Sequence, residues 1–180
     1  MGLAQAFALG TVFAAEPPSV VVSSDLARAR DTAQAVCDHV GLPLVVDLRL
    51  RETHFGLWQG LTGAEVAAQW PAEYAAWRRW EGIPVGGEEP VAVGARAAAV
   101  VDAFLPVSGT LLLATHGGTA RALVGTLTES DPATWWRLAP LGNTCWSTLA
   151  EFERGWRLER HNTGLGPLLG DATGATLRDS

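Results

Sequence analysis

The segment TLLLATHGGTARAL, residues 110–123, places a histidine where an apolar run gives way to glycine. His116 follows the run Leu111–Leu113, and the pair Gly117 and Gly118 precedes a stretch that is expected to be helical. Backbone N–H groups and the positive end of the helix dipole favour an anion at such a turn, and glycine lets it approach closely. His116 is therefore a candidate catalytic or anion-binding residue. The alternative is a core or surface histidine beside a turn.

A second segment, SSDLARARDTA at residues 23–33, also follows a short apolar strand directly. Ser24 or Asp25 is expected to cap the helix that comes next. Arg28 and Arg30 then fall in its first turns, where the helix dipole disfavours positive charge. Because such local conflicts cluster at functional sites and a guanidinium binds phosphate bidentately, Arg28 is a candidate phosphate ligand. The alternative is that the arginines only solvate the helix face, which we expect for Arg30.

A third segment, LRETHFGLWQGLT at residues 50–62, carries a carboxylate ahead of a glycine-containing loop. Glu52 stands close in sequence to the rings of Phe55 and Trp58. A carboxyl group beside apolar rings can hold its proton longer and act as a general acid. Glu52 is therefore a candidate acid, and the alternative is a solvated loop residue near two core aromatic side chains.

These segments are connected by a regular alternation of predicted strands and helices. Short apolar strands are expected at 19–23, 43–48 and 110–115, and a hairpin at 144–161. Helices are expected at 3–15, 26–40, 62–80 with a break near Pro71, 91–104 and 119–127. The pattern predicts an α/β fold, a three-layer α/β/α sandwich with a largely parallel sheet, in which ligands bind at the carboxyl ends of strands.

Length and composition narrow the class of protein further. The 180 residues indicate one domain, 1–162, with the glycine-rich residues 163–180 as a flexible C-terminal tail. All 13 basic residues are arginine and the net charge is −6, which argues against a nucleic-acid partner. No apolar run approaches the roughly 20 residues that cross a bilayer, so we expect no membrane partner.

The cysteines and the N-terminus predict a cytoplasmic protein. Cys37 and Cys145 lie far apart without metal-ligand spacing, and we expect both to be reduced rather than joined in a disulfide. The apolar start of the chain could pass for a signal peptide, but no positive charge precedes Arg28 and Gln5 interrupts the apolar stretch. An ordinary helix is therefore the expected structure for this stretch.

The order and spacing of the three segments together resemble the histidine phosphatase superfamily. The shared motifs are S-x-L-x-R-A-x-x-T after a strand, R-E-x-x-F-G-x-W-Q-G-L, a Gly-Gly-Glu loop and T-H-G-G before a helix. The resemblance runs from Gly2 to Asn162, and the chain is similar to the phosphatase side of the phosphoglycerate-mutase-like branch. Mutases of that branch usually carry a longer insertion than the compact residues 62–84, which favours a phosphatase.

This resemblance implies hydrolysis of small phosphomonoesters through a phosphohistidine intermediate, without a metal or other cofactor. The substrate would be a small phosphorylated metabolite. Arg28 would clamp the phosphoryl oxygens together with a charged His116, Glu52 would protonate the leaving oxygen, and the backbone of Gly117 would face the phosphate. A transferring phosphoryl group needs positioning and positive charge, which these groups supply. A homodimer is compatible with the family, and the sequence leaves the oligomeric state open.

One departure from the family is the absence of its Arg-His-Gly motif, which carries the nucleophilic histidine at the end of the first strand. Of the other histidines, His39 falls in a predicted helix and His54 in the glutamate loop. His161 follows Arg160, but Asn162 replaces the glycine and no apolar strand precedes it. GLAQAF resembles the middle of the family's first helix, so we expect the sequence to begin inside that helix, without the first strand and the nucleophile.

Two other functions therefore stay open. A catalytically inactive relative would bind phosphorylated ligands or partners through Arg28, Glu52 and His116. A nucleotide-binding module would use the Gly117–Gly118 turn, although a glycine pair without a fuller glycine-rich loop or a lysine is weak support for it.

The aromatic residues of the 62–84 segment are a further open question, because in relatives this segment overhangs the active site. Trp70, Tyr74, Trp77 and Trp80 recur at roughly helical spacing, which more often indicates core packing than ligand binding. We expect Trp70 and Trp77 in the core, and the role of Trp80 stays open.

Overall fold

Helices and strands alternate along the chain, as the sequence predicts. The computed structural model describes residues 2–105 and 108–164. The helices are α1 (Gly2–Ala15), α2 (Ala27–Val40), α3 (Gly63–Gln69), α4 (Pro71–Arg78), α5 (Pro90–Phe104) and α6 (Gly117–Leu127). The strands are β1 (Val20–Ser23), β2 (Leu44–Val46), β3 (Leu111–Ala114), β4 (Trp146–Phe152) and β5 (Gly155–Thr163). Short 3-10 turns lie at Leu48–Leu50, Gly56–Trp58 and Pro132–Arg137.

A three-stranded parallel sheet forms the middle layer, with the order β2-β1-β3. Successive side chains of β1 point to opposite faces, so each buried valine packs against a different helical layer. Val21 packs with Ala33 and Cys37 of α2, whereas Val22 joins the cluster that contains Val100 of α5 and a leucine of α6. Each such valine contributes about 1.5–3 kcal/mol by burial. The predicted three-layer α/β/α sandwich is therefore confirmed.

The predicted hairpin forms a second, separate sheet. β4 and β5 are antiparallel, and their turn lies at residues 153–154. Trp156 of β5 connects the hairpin to the rest of the fold. Its side chain packs against the hydrophobic cluster that the parallel sheet forms with α5 and α6. Within residues 2–105 and 108–164, β3 pairs with β1 on one side and with no strand on the other. In the described residues the parallel sheet ends at β3, and the β4–β5 hairpin is not hydrogen-bonded to it.

The expected tail at 163–180 falls largely outside the described residues, which end at Gly164. Thr163 is the last residue of β5. The hairpin therefore extends one residue past the predicted end of the domain at 162.

An aromatic cluster fills the space under α3 and α4, the two helices into which Pro71 divides the 62–80 segment. Trp58 is fully buried, and its ring packs edge-on against Tyr74 and Trp77 at 6.0 and 5.8 Å between centroids. Trp70 packs against the same cluster. Trp70 and Trp77 are themselves half-buried, so the prediction that they belong to the core is confirmed in part: they pack against the fully buried Trp58 and Val66.

Both cysteines of the chain lie among the described residues. Cys37 is buried, Cys145 is half-buried, and both are free thiols, as predicted. No helix among these residues has the length and apolar character that crossing a bilayer requires.

Candidate functional site

The candidate site lies where β1 and β3 end side by side. The backbone N–H of Ser24, just after β1, donates to the carbonyl oxygen of Ala114 at the end of β3 (2.9 Å). His116 follows two residues later, and its Nε2 lies 2.9 Å from the Ser24 hydroxyl oxygen. The parallel pairing of the strands therefore brings the first two sequence motifs together at one edge of the sheet, as predicted.

His116 is held as a neutral imidazole in the free site. Its side chain is only 6% exposed, and it occupies the N-cap position of α6. Burial is the main cause that lowers its pKa to about 4, and the charges of Arg28 and Arg96 lower it further. The carboxylates of Glu52 and Asp25 oppose this shift without cancelling it. Desolvation thus outweighs the nearby negative charges, and the charged His116 that the resemblance implies would need the added negative charge of a phosphoryl group.

Glu52 lies directly on the first turn of α6. Its Oε2 accepts the backbone N–H of Gly118 at 3.2 Å, and its Oε1 accepts the backbone N–H groups of Thr119 (3.1 Å) and Thr53 (2.8 Å). A carboxylate at this position satisfies helix N–H groups that have no partner within the helix, and it faces the positive end of the dipole. The acid candidate and His116 are thus fixed by the same helix start.

The aromatic rings near Glu52 in sequence have a different role from the one predicted. Phe55 and Trp58 both pack edge-on against Trp77 in the aromatic cluster. The hydrogen-bond partners of the Glu52 carboxylate are instead backbone N–H groups and the Thr119 hydroxyl. The placement of Glu52 therefore comes from helix capping rather than from an apolar wall.

The two glycines of the turn have separate functions in the structure. A Cβ on Gly118 would lie 2.6 Å from Oε1 of Glu52 and 2.8 Å from Oγ1 of Thr53, so any other residue would displace these side chains from their present positions. A Cβ on Gly117 would have no heavy atom within 4 Å. The predicted phosphate-facing backbone at Gly117 is thus open to a ligand, and Gly118 is a residue whose role the sequence did not reveal.

Arg28 lies in the first turn of α2, exposed to solvent. Its charge lowers the pKa of His116, so the two residues are within electrostatic reach of each other. In the described part of the chain its guanidinium makes no hydrogen bond or ion pair, which leaves its donors available to an anion. Arg30 instead forms an exposed ion pair with Asp31 at 3.5 Å, consistent with the solvating role expected for it.

The predicted cap of α2 is wrong, because the polar residues before the helix have other partners. Leu26 occupies the N-cap position without a side-chain hydrogen bond to the helix. The Ser24 hydroxyl faces His116, and the Asp25 carboxylate binds both Nε (2.7 Å) and Nη2 (2.5 Å) of Arg51. The hydrogen bond from Arg51 holds the pKa of Asp25 below its ordinary value.

Arg96 of α5 is a second residue that sequence reasoning missed. Its Nη1 donates to the carbonyl oxygens of Arg49 (2.6 Å) and Arg51 (2.8 Å), and its Nη2 to that of Glu52 (3.3 Å). Its Nε also pairs with Glu88, from the Gly-Gly-Glu loop, at 2.9 Å. Burial raises the pKa of Glu88, but the hydrogen bonds from Arg96 and the His54 backbone outweigh it and hold that pKa low. Arg96 therefore fixes the backbone that carries Glu52.

The other histidines of the described chain have partners elsewhere. His39 Nδ1 lies 2.7 Å from the Ala35 carbonyl within α2. The ring nitrogens of His161 are held by the Ser147 hydroxyl and the Ala139 carbonyl, both at 2.8 Å. His54 Nδ1 accepts the backbone N–H of Gly56. Among the residues that the structure describes, no second histidine hydrogen-bonds to His116.

The arrangement is suited to an anion with exchangeable protons. Arg28 offers free guanidinium donors, the start of α6 offers a positive dipole end, and His116 can take up a proton when negative charge arrives. Glu52 lies beside this position and can exchange a proton with a bound group. Within residues 2–105 and 108–164, no group of three or more His, Cys, Asp or Glu side chains is placed to hold a metal ion.

The chain is similar to known proteins along most of its length. The model of the histidine phosphatase superfamily (branch 1) matches residues 1–164. Glucosyl-3-phosphoglycerate phosphatase of Mycobacterium tuberculosis (strain CDC 1551 / Oshkosh) is 38% identical, over 90% of this chain and 81% of the relative. A metal-independent phosphoserine phosphatase of Arabidopsis thaliana is 33% identical over 74% of this chain and 59% of its own length.

A solved structure of the mycobacterial glucosyl-3-phosphoglycerate phosphatase in complex with inorganic phosphate shares the fold. It superposes with a TM-score of 0.83 at 38% identity, covering 90% of this chain and 85% of that one. These relatives are phosphatases, and the fold is shared along most of the chain. The protein belongs to branch 1 of the histidine phosphatase superfamily.

Proposed function

We propose that this protein binds small phosphomonoesters at the start of α6 and hydrolyses them through a phosphohistidine intermediate. The observation that carries the proposal is the position of Glu52, whose carboxylate lies on the N–H groups of Gly118 and Thr119 beside His116. A candidate proton donor, an imidazole and a positive helix end thereby meet at the start of α6. Phosphoryl transfer needs this combination of positioning and charge.

Each residue has a distinct task in the proposed reaction. Arg28 and the open backbone at Gly117 hold the phosphoryl oxygens, and His116 becomes charged when the dianion binds. Glu52 donates a proton to the leaving oxygen, and afterwards accepts one from the water that releases phosphate. Metal independence follows in this proposal from the use of arginine and the helix dipole as the positive charges.

The nucleophilic histidine of this mechanism is proposed to come from a strand outside the described residues. The side of β3 that no described strand occupies supports this placement, because a strand inserted there would end beside His116. Such a strand would also satisfy backbone groups of β3 that lack a partner. One strand, proposed to lie along the free side of β3, would then account both for the gap between β3 and the hairpin and for the nucleophilic histidine.

A second candidate is an inactive relative that binds phosphorylated ligands without turnover. The placement of the remaining histidines favours it, because His39, His54 and His161 all have partners away from His116. Under this reading, Arg28, Glu52 and His116 serve recognition alone.

Phosphate binding tests the site in both cases. Isothermal titration of the 180-residue chain with inorganic phosphate should show binding that Arg28→Ala weakens about tenfold or more, since a charged hydrogen bond contributes roughly 1.5–3 kcal/mol. Arg30→Ala is the matched control on the same helix and should change the affinity less than twofold. Unchanged phosphate affinity in Arg28→Ala would contradict both candidate functions.

Turnover separates the two candidates. Hydrolysis of p-nitrophenyl phosphate with an acid-labile phosphoenzyme would support the phosphatase, whereas phosphate binding without turnover would support the inactive relative. The DNA immediately upstream of the Met1 codon completes the test. An in-frame apolar strand followed by Arg-His-Gly would direct the assay to the longer chain.

We propose the cellular location and the oligomeric state of the protein on separate grounds. The free thiols of Cys37 and Cys145 support a cytoplasmic location, where thiols stay reduced. A homodimer through β2 is supported by the edge position of that strand and by the exposed side chains of Val46 and Leu48. Cell fractionation and sedimentation equilibrium test these two proposals, and a monomer at all concentrations would exclude the dimer.

A further inference from the structure

Ser24 makes the one side-chain hydrogen bond to His116 that is found within residues 2–105 and 108–164. Its hydroxyl oxygen lies 2.9 Å from Nε2 of the imidazole, and Ser24 itself is fully buried, with 0% of its surface exposed. A neutral imidazole has one nitrogen that donates and one that accepts, and a hydroxyl can take either role toward it. The direction of this bond therefore decides which nitrogen of His116 carries the proton.

The other contacts of the Ser24 side chain determine that direction. Its hydroxyl oxygen accepts the backbone N–H of Leu26 at 3.3 Å. Among the residues that the structure describes, Nε2 of His116 is the single acceptor within reach of the hydroxyl proton. Because a buried donor without an acceptor costs free energy, the hydroxyl donates to Nε2. Nε2 is then unprotonated, and the proton of the neutral imidazole lies on Nδ1.

The backbone holds both partners of this bond in place. The N–H of Ser24 donates to the Ala114 carbonyl oxygen at 2.9 Å, and the carbonyl oxygen of Ser24 accepts the Ser23 hydroxyl at 2.8 Å. His116 is fixed at the start of α6, where its carbonyl oxygen accepts the Ala120 N–H at 2.7 Å. The ends of β1 and β3 therefore place the hydroxyl against the imidazole, and the contact needs no ligand to form.

We propose that Ser24 is a positioning residue that holds the neutral His116 in its Nδ1-protonated tautomer, so that an N–H donor is ready for a phosphoryl oxygen before the ring takes up a second proton. Nδ1 makes no hydrogen bond to any described residue, so it is the ring nitrogen that is available to a ligand. The inference rests on the proposed function, because Nδ1–H is assigned to the phosphoryl group bound at that site.

Ser24 also opposes the charging of His116 in the free site. A proton added at Nε2 would replace the acceptor of the Ser24 hydroxyl with a donor, and the buried hydroxyl proton would lose its described partner. The charged groups that act on the imidazole are Asp25, Arg28, Glu52 and Arg96. These four groups influence how readily the ring becomes charged, whereas Ser24 selects the nitrogen that carries the proton of the neutral ring.

Nitrogen-15 NMR reads the tautomer directly, because protonated and unprotonated ring nitrogens have well-separated chemical shifts. The full chain is labelled in its four histidines, and the spectrum of His116→Gln identifies the signals of His116 by their loss. At neutral pH without ligand, the natural chain should show Nδ1 of His116 protonated and Nε2 unprotonated. A proton on Nε2 in the natural chain would overturn the proposal. This measurement needs no substitution at Ser24, so it holds even if a variant there fails to fold.

Variants assign the tautomer to the hydroxyl. Ser24→Ala should place the proton of the neutral imidazole on Nε2 in part or all of the molecules, because nothing then donates to that nitrogen. Ser24→Thr should restore the natural tautomer, since threonine keeps a hydroxyl. Ser23→Ala is the matched control, because this neighbouring hydroxyl is equally buried but donates to the Ser24 carbonyl oxygen, and the tautomer should not change. An unchanged tautomer in Ser24→Ala would overturn the role of Ser24.

Isothermal titration with inorganic phosphate connects the tautomer to the site and separates this inference from the proposed function. Ser24→Ala should bind phosphate about two- to tenfold more weakly, as expected for the loss of one hydrogen bond, whereas Ser24→Thr and Ser23→Ala should stay within about twofold of the natural chain. A changed tautomer with unchanged phosphate affinity would overturn the role of Nδ1 and leave the phosphate site standing. Failure of the natural chain to bind phosphate would overturn the proposed function, and this inference with it.

Discussion

Oε1 of Glu52 lies 3.1 Å from the backbone nitrogen of Thr119, three residues after His116. The carboxylate therefore depends on the first turn of α6 for its position, and that turn begins at the imidazole it must work beside. A single helix start sets the distance between the two groups. Changes at this turn are expected to disturb the site more than changes of the same size elsewhere on the helix.

Substitution of the glycine pair tests this dependence. Gly118→Ala should lower the free energy of unfolding by about 1–3 kcal/mol, because its Cβ would lie 2.6 Å from Oε1 of Glu52 and the carboxylate must move. It should also displace Glu52 in a crystal structure of the variant. Chemical denaturation measures the stability. Gly117→Ala is the control, since its Cβ meets nothing within 4 Å and alanine favours the helix by up to about 1 kcal/mol. A tolerated Gly118→Ala with Glu52 in place would contradict the capping argument.

Removal of the Arg96 side chain should loosen the segment that carries Glu52. Arg96→Ala leaves the half-buried Glu88 without its charged partner and frees carbonyl oxygens on both sides of Arg51. We expect a loss of about 2–4 kcal/mol in the free energy of unfolding, measured by urea denaturation.

The matched control for Arg96 is an exposed ion pair of the same type. Arg79 and Glu81 are joined at 2.7 Å with both side chains 59% exposed. Arg79→Ala should change the free energy of unfolding by less than about 0.5 kcal/mol. Equal effects of the two substitutions would mean that the carbonyl contacts of Arg96 carry no energy.

Most of the fold could be predicted from the sequence, because the signals were local. Apolar runs marked β1 and β3, Pro71 marked the break between α3 and α4, and Gly41 ended α2 in the left-handed conformation that its glycine permits, with φ 73°. These signals act within a few residues of the position they predict. The separation of the hairpin from the parallel sheet was not predictable in this way, since strand pairing joins distant segments.

The candidate site was only half predictable for the same reason. Arg28, Glu52 and His116 stand in recognisable motifs, and the structure brings them to one edge of the sheet. The protonation of His116 depends on its burial by the folded chain, and the role of Gly118 depends on the approach of a loop 66 residues earlier in sequence. Arg96 lies on helix α5 with no local feature that marks it. Tertiary contacts decide all of these properties.

The lowered pKa of His116 predicts how stability changes with pH. Its ordinary value of 6.5 applies in the unfolded chain, and burial lowers it to about 4 in the folded protein. Between these values the unfolded chain binds more protons, so this residue contributes stability above pH 6.5 that is lost as the pH falls toward 4. The difference corresponds to about 3 kcal/mol. Urea denaturation of the natural chain and of His116→Gln should show their stability difference shrinking by that order across the window. A constant difference would contradict the buried neutral imidazole.

The same pKa predicts that anion binding draws a proton onto His116. Sulfate is a suitable probe because it stays a dianion from pH 5 to 8, so any pH dependence belongs to the protein. In the free site His116 is neutral over this range, and a bound dianion beside it stabilises the charged imidazole. Sulfate affinity should therefore fall as the pH rises, by up to about tenfold per pH unit, which is the limit for uptake of one proton.

Titration calorimetry in buffers of different ionisation enthalpy measures this uptake directly, and we expect close to one proton per bound sulfate at pH 6. His116→Gln is the control, since it keeps a polar side chain and leaves Asp25, Glu52, Arg28 and Arg96 in place. Its sulfate affinity should be lower and nearly independent of pH. A slope that persists in His116→Gln would assign the proton to one of the carboxylates instead. A flat profile in the natural chain would mean that His116 stays neutral beside the anion and that Arg28 and the α6 dipole hold it alone.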